Sequence, residues 1–125
     1  MAKLGAGSLA QLGTCHPDLQ RLVRALVADL SARPGRYVKD VTVLCGFRNQ
    51  HDQDDAYKRG ASKLPWPKSR HNTYPARAVD VVPYPLDWND MRAFAELRTR
   101  MRAQAKALGI AVRFISWDWP HVELV

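Results

Sequence analysis

The chain has 125 residues, with 19 Lys plus Arg against 12 Asp plus Glu and a formal charge of +7. That length fits one domain, and 46% hydrophobic with 25% charged residues is a globular composition that excludes wholesale disorder. No apolar run approaches the roughly 20 residues that span a bilayer, and the N-terminus lacks a hydrophobic stretch of signal-peptide length, so synthesis in the cytoplasm is expected. The basic excess predicts an anionic partner: nucleic acid, a membrane surface or an acidic wall polymer.

The first predicted element is a helix over 17–31. Pro17 suits the first helical position, where its missing N–H costs nothing. Leu19, Leu22, Val23, Leu26, Val27 and Leu30 then follow at the spacing of one buried face. Arg33-Pro34-Gly35 ends it. Val41 to Cys45 is a β-branched run read as a buried strand stopped by Gly46. A polar helix is expected over 49–59, then a loop over 61–75 punctuated by Pro65, Pro67 and Pro75. Ala78 to Val82 predicts a second strand, stopped by Pro83 and Pro85. A long helix follows over 88–108, capped by Asp87 or Asn89 and closed by Gly109, with Met91, Phe94, Met101, Ala105 and Leu108 facing inward. Strands over 111–115 and 121–125 complete the chain. This order predicts an α+β fold with a small antiparallel sheet packed against helices.

Cys15 and Cys45 lack metal or redox spacing and read as buried reduced thiols. His16 reads as a helix-entry residue, and His51, among acidic and amide neighbours, as solvated. The other two histidines stand near carboxylates. His71 lies in a Pro-rich loop nine residues before Asp80, which sits inside an apolar strand where a carboxylate needs a partner. His121 opens the last strand, three residues after Asp118. Two His and one carboxylate, with a second carboxylate nearby, are what a catalytic zinc site requires: three ligands, an open position for water and a base. On spacing alone, Asp80 could equally pair with Arg48 or Arg77, and Asp118 could serve a turn.

Ser69-Arg70-His71 followed by Ala78-Val79-Asp80 resembles the SxH…AxD motif of the D-Ala-D-Ala metallopeptidase family. Asp118-Trp119-Pro120-His121 resembles its (E/D)xxH motif, and Gly46-Phe47-Arg48 with Gln53 and Tyr57 resembles its G(Y/F)R segment and following helix. The endings Ala111 to Phe114 and His121 to Val125 are similar to those of short phage endolysins that are L-alanyl-D-glutamate peptidases. The resemblance runs from about Leu12 to Val125 and implies a Hedgehog/DD-peptidase-like fold as a single zinc peptidase domain, with no separate wall-binding domain. By position it implies His71, Asp80 and His121 as ligands of one Zn2+ per chain, Asp118 as the proton-shuttling carboxylate and Arg48 beside the scissile carbonyl. Ser69, Gln53, Trp119 and Tyr74 are the expected substrate-binding residues. The chain departs from many family members in having eight residues, 72–79, between His71 and Asp80, with no Gly among them.

The resemblance implies a monomeric peptidoglycan endolysin cutting the L-alanyl-D-glutamate bond, held in the host cytoplasm until a holin opens the inner membrane. A D-Ala-D-Ala carboxypeptidase is the alternative within the class. A nucleic-acid-binding module and an inactive wall binder are the alternatives outside it; the first has the charge in its favour but leaves Asp80 and the Asp118/His121 pair unexplained. Trp66, Trp88, Trp117 and Trp119 read as packing residues or a sugar-stacking platform. Arg92, Arg98, Arg100, Arg102 and Lys106 read as a solvated helix face, or as a weak footing on wall polymer or anionic membrane.

Overall fold

The computed structural model describes residues 1–125. Its elements are α1 (Ala6–Leu12), α2 (Pro17–Ala32), β1 (Asp40–Cys45), α3 (Gln50–Lys58), a 3-10 turn (Arg70–Asn72), β2 (Ala78–Tyr84), α4 (Met91–Leu108), β3 (Val112–Ile115) and β4 (Asp118–Leu124). The strands form one antiparallel sheet in the order β1-β2-β4-β3. The expected α+β class and small antiparallel sheet are borne out.

Strand alternation separates two faces. Val41 and Val43 of β1, Val79 and Val81 of β2, and Val122 and Leu124 of β4 join one core cluster with Leu19, Leu22, Leu26 and Leu30 of α2 and Leu97, Met101 and Ala105 of α4. Cys45, Asp80 and His121 are register partners across β1, β2 and β4. Directly opposed residues share a face, so the candidate ligands stand together on the side away from α2.

The sequence reading missed α1. The helix carries Gly7, is flanked by Gly5 and Gly13, and has no side-chain N-cap, so local propensity is poor. What holds the segment is docking along the outer edge of β1. Ser8 Oγ accepts from the Val43 N–H at 3.0 Å, Gln11 Oε1 from Gly46 at 3.2 Å, and Thr14 Oγ1, just past the helix, from Phe47 at 2.8 Å. These contacts cover an edge that would otherwise stay open.

Other boundaries shift for identifiable reasons. β2 continues through Pro83 to Tyr84, because β4 pairs only as far as Asp80 and Pro83 needs no donor on that side. α4 begins at Met91 with Asp90 as its cap, at 3.2 Å from the Ala93 N–H, while Asp87 closes the preceding turn by accepting from Asn89. β4 begins at Asp118 rather than His121, with a register irregularity between Phe114 and Ile115 that accommodates Pro120. Met91 is exposed instead of facing inward.

The basic helix face is mostly not free. Arg100 Nε meets Asp29 Oδ2 at 2.8 Å, clamping α4 to α2, and Asp29 also holds Arg33 at 2.8 Å. Arg92 lies over the Tyr37 ring and Arg102 over Phe114. Arg98 points toward the candidate site. The expectation of a solvated face fails for Arg98 and Arg100, whose guanidiniums are structural.

Candidate active site

His71 is placed by the 3-10 turn rather than by the sheet. Ser69 Oγ accepts from the His71 N–H and Asn72 Oδ1 accepts from the Ser69 N–H, each at 3.1 Å, closing a capping box around the turn. Asn72 Nδ2 donates to the Arg48 carbonyl at 3.1 Å, and the Arg48 N–H donates to the His71 carbonyl at 2.8 Å. Beneath them lies Gln53, completely buried. Its Oε1 accepts from Arg48 Nη1 and Asn72 Nδ2, each at 3.0 Å, and its Nε2 donates to Ser62 Oγ and the Leu64 carbonyl. The polar helix α3 thus buries one amide that joins three segments, 48, 62–64 and 72.

Three donor atoms converge above this scaffold. His71 Nε2 lies 3.3 Å from His121 Nδ1 and 3.3 Å from Asp80 Oδ1, and the two last atoms are 3.4 Å apart. Such a triangle is one face of a tetrahedron whose centre-to-corner bonds are about 2.0–2.1 Å, the range of zinc to nitrogen or carboxylate oxygen. Asp80 Oδ1 is buried with no hydrogen-bond partner, which in a folded protein calls for an ion or similar occupant. Cys45, His71 and Asp80 also present donor atoms within 4.8 Å of one another. Both cysteines are free thiols, as expected, but Cys45 is only half-buried and borders the donor triangle, because β1 pairs it with Asp80.

The electrostatics follow from this crowding. Burial pushes the His71 ring toward neutrality, but the Asp80 charge and its contact more than offset that and raise the affinity for a proton; His121 follows the same pattern. Burial acts to raise Asp80, and the two imidazoles reverse it to well below the carboxylate range. Asp118 is raised, first by burial and then by the Asp80 charge. Its Oδ2 lies 3.9 Å from His121 Nδ1.

The triangle forms the floor of a cleft of about 370 Å³ that Arg48, Ser69 and Asp118 also line. Its wall is apolar, with Trp88, Met91, Phe94, Trp117 and Trp119. Trp88 stacks on Phe94, Lys63 sits over Trp117, and Arg98 lies 4.5 Å from the centre of Trp119. The structure therefore brings together His71, Asp80, His121, Asp118, Arg48, Ser69 and Trp119. It does not bring in Gln53, which is walled off beneath the turn, or Tyr74, which is largely exposed and packs edge-on against Phe47. Both were expected at the substrate. His16 caps α2 by accepting from the Asp18 N–H at 3.0 Å, and His51 is exposed.

Two residues at the site escaped the sequence reading. Glu123 Oε1 lies 2.8 Å from His121 Nε2; its i, i+2 spacing from His121 on a strand was the available signal. Arg98 Nη2 donates to the carbonyls of Ile115, Asp118 and Trp119 at 3.1, 3.0 and 3.1 Å. Nothing in its helical position announced that role.

Fold and site define a small α+β protein with a partly aromatic cleft floored by a cluster of histidine and carboxylate donors. The family model for phage L-alanyl-D-glutamate peptidase matches residues 1–125. The L-alanyl-D-glutamate peptidase of Escherichia phage T5 is 35% identical over 121 residues, covering 94% of this chain and 81% of that one. The crystal structure of the Serratia marcescens L-Ala D-Glu endopeptidase ChiX superposes with a TM-score of 0.76 at 28% identity, over 98% of this chain and 90% of that chain. The chain belongs to the phage L-alanyl-D-glutamate peptidase family, and the endolysin resemblance read from its motifs is borne out.

Proposed function

We propose that this peptidase is a zinc-dependent endolysin that hydrolyses the L-alanyl-D-glutamate bond of the peptidoglycan stem peptide. One ion per chain is held by His71 Nε2, Asp80 Oδ1 and His121 Nδ1. The observation that carries the reading is the donor triangle of 3.3, 3.3 and 3.4 Å around a carboxylate oxygen with no other partner. His121 fits better than Cys45 as the third ligand, because its nitrogen completes the tight triangle. A Cys ligand added to all three would also close the position a hydrolase keeps open.

Zinc, when bound, polarises the scissile carbonyl and acidifies a water. The chain's own residues then divide the work. Asp118 Oδ2 takes the proton of the attacking water and passes it to the leaving amine, a role suited to a carboxylate raised above its usual range. Arg48, braced by Gln53 and 3.7 Å from Asp80 Oδ2, places a cation toward the developing oxyanion. Ser69 holds the His71 turn and borders the substrate path. Trp119 and the facing aromatic wall exclude water and seat the peptide or its sugar. Peptidoglycan is the partner, the enzyme acts as a monomer and single domain, and it reaches the wall from the host cytoplasm through a holin-permeabilised membrane.

The test is mass spectrometry of fragments from purified peptidoglycan, with chelator and after zinc return. New D-glutamate N-termini that vanish with chelator and come back with zinc are expected. Release of terminal D-alanine alone would instead make the enzyme a carboxypeptidase. His71→Ala and His121→Ala should lose both metal and lysis, whereas Cys45→Ser should keep both. Loss of metal in Cys45→Ser would replace His121 by Cys45 in the ligand set.

A further inference from the structure

We infer that Glu123 is a positioning residue of the metal centre: it fixes which nitrogen of His121 faces the ion and ties together the segments that carry His121 and His71. The inference rests on the ligand set proposed above. A neutral imidazole carries one proton, so only one of its nitrogens can offer a lone pair. His121 turns Nδ1 toward Asp80 and His71, and its Nε2 lies 2.8 Å from Glu123 Oε1. An ionised carboxylate only accepts. Nε2 is therefore the protonated nitrogen, and Nδ1 is left as the donor.

His71 is set by the same logic with the nitrogens exchanged. Its Nδ1 donates to the Gly46 carbonyl at 2.7 Å, leaving Nε2 for the site. The two supports differ in kind. A backbone carbonyl is present whatever residue stands at its position and is lost only if the chain itself shifts, whereas the support of His121 is a side chain. The orientation of His121 thus depends on one residue identity, and that residue is Glu123.

The surroundings of Glu123 fit the role. It is only 8% exposed, and a buried carboxylate needs compensating charge. Its other oxygen faces Arg70 Nε at 3.6 Å and Arg113 Nε at 3.8 Å. Arg113 is its cross-strand partner on β3, and Arg70 belongs to the turn that presents His71. One carboxylate thereby joins β4, β3 and the 3-10 turn. Without it, the His121 ring can flip or change tautomer, and the turn loses a tether to the sheet.

The experiment compares wild type, Glu123→Met and Glu123→Gln for zinc affinity, by competition with a chromophoric chelator, and for the visible spectrum of the cobalt-substituted protein. Circular dichroism and melting establish that each variant is folded. Met fills the space without an acceptor, and zinc affinity is expected to fall about 10- to 100-fold with an altered cobalt spectrum. Gln retains an amide oxygen able to accept from Nε2, and should recover most of the affinity and the wild-type spectrum. Glu123→Ala takes the place of the Met variant if Met does not fold. Wild-type affinity and spectrum in a folded variant without an acceptor would overturn the inference, as would a Gln variant no better than Met. Wild type that takes up no zinc would overturn the ligand set itself, a result distinct from either.

Discussion

Replacing Arg98 by Met tests whether the end of β3 and the start of β4, which carries Asp118, are held from α4. In the folded chain one guanidinium nitrogen serves the Ile115, Asp118 and Trp119 carbonyls at 3.0–3.1 Å, while its plane covers Trp119 and Phe114. That nitrogen has two hydrogens for three acceptors, so about two bonds' worth is at stake, each of roughly 1.5–3 kcal/mol for a charged donor. The carbonyls belong to half-exposed residues, and water recovers part of the loss, which leaves about 2–3 kcal/mol. Unfolding entropy of about 2.1 cal/mol/K per residue gives roughly 260 cal/mol/K over 125 residues. The expected fall in melting temperature is then about 8–12 °C.

Activity should fall independently of stability. Asp118 shares the strand start that Arg98 fixes, and a displacement near 1 Å at a reacting group costs on the order of 100-fold. The assay is thermal unfolding together with kcat on purified peptidoglycan, at matched zinc content and well below the melting point. A melting temperature within about 2 °C of wild type with unchanged kcat would refute the reasoning and reduce Arg98 to a surface cation.

Asp118→Asn should lower kcat by about 10²–10⁴ while leaving zinc content near wild type; equal loss of metal would make Asp118 a ligand. Gly46→Ala should impair His71 from a distance, because a Cβ there collides with Thr14 Oγ1 and the Gln11 carbonyl and lies 2.8 Å from Cys15 Sγ. The displaced carbonyl is the one that orients His71, so weaker zinc binding is the readout. Glu96 accepts from the N–H groups of Arg36, Tyr37 and Val38 at 2.8–3.0 Å. Burial opposes its ionisation, but these three donors hold its carboxyl below the ordinary 4.5. Glu96→Gln should therefore cost about 1–3 kcal/mol at neutral pH. A depressed folded-state value stabilises above the unfolded one, so the gap between wild type and variant should narrow as pH falls from about 4.5. A gap independent of pH between 7 and 3, measured by denaturant unfolding, would contradict this account.

The sequence showed what alternates or repeats and missed what depends on a distant partner. The Leu and Val spacing of α2 and the Val-Asp-Val pattern of β2 were legible because burial imposes them directly. So was the convergence of His71, Asp80 and His121, since ordered motifs survive a change in loop length. α1 was not legible, because its hydrogen-bond partners lie on β1 and just past its end, more than thirty residues away. Gln53 was misplaced for a related reason: its place in the motif put it at the substrate, and only the fold shows it bracing the His71 turn from below. The apparent charge of α4 misled in the opposite direction, since Arg98 and Arg100 spend theirs on carbonyls and Asp29.

The strand alternation that puts Val79, Val81 and Val122 into the core puts Asp80 and His121 on the opposite face. A one-residue slip would invert both sets together, so an altered register cannot persist by sparing either. Substitution without slippage behaves differently, because Asp80 and His121 lie outside the core cluster. A lineage can therefore exchange Asp80 or His121, change the chemistry of that face, and still inherit the core cluster. Inactive relatives with sound folds, and new reactivities on the same sheet, are both within short mutational reach.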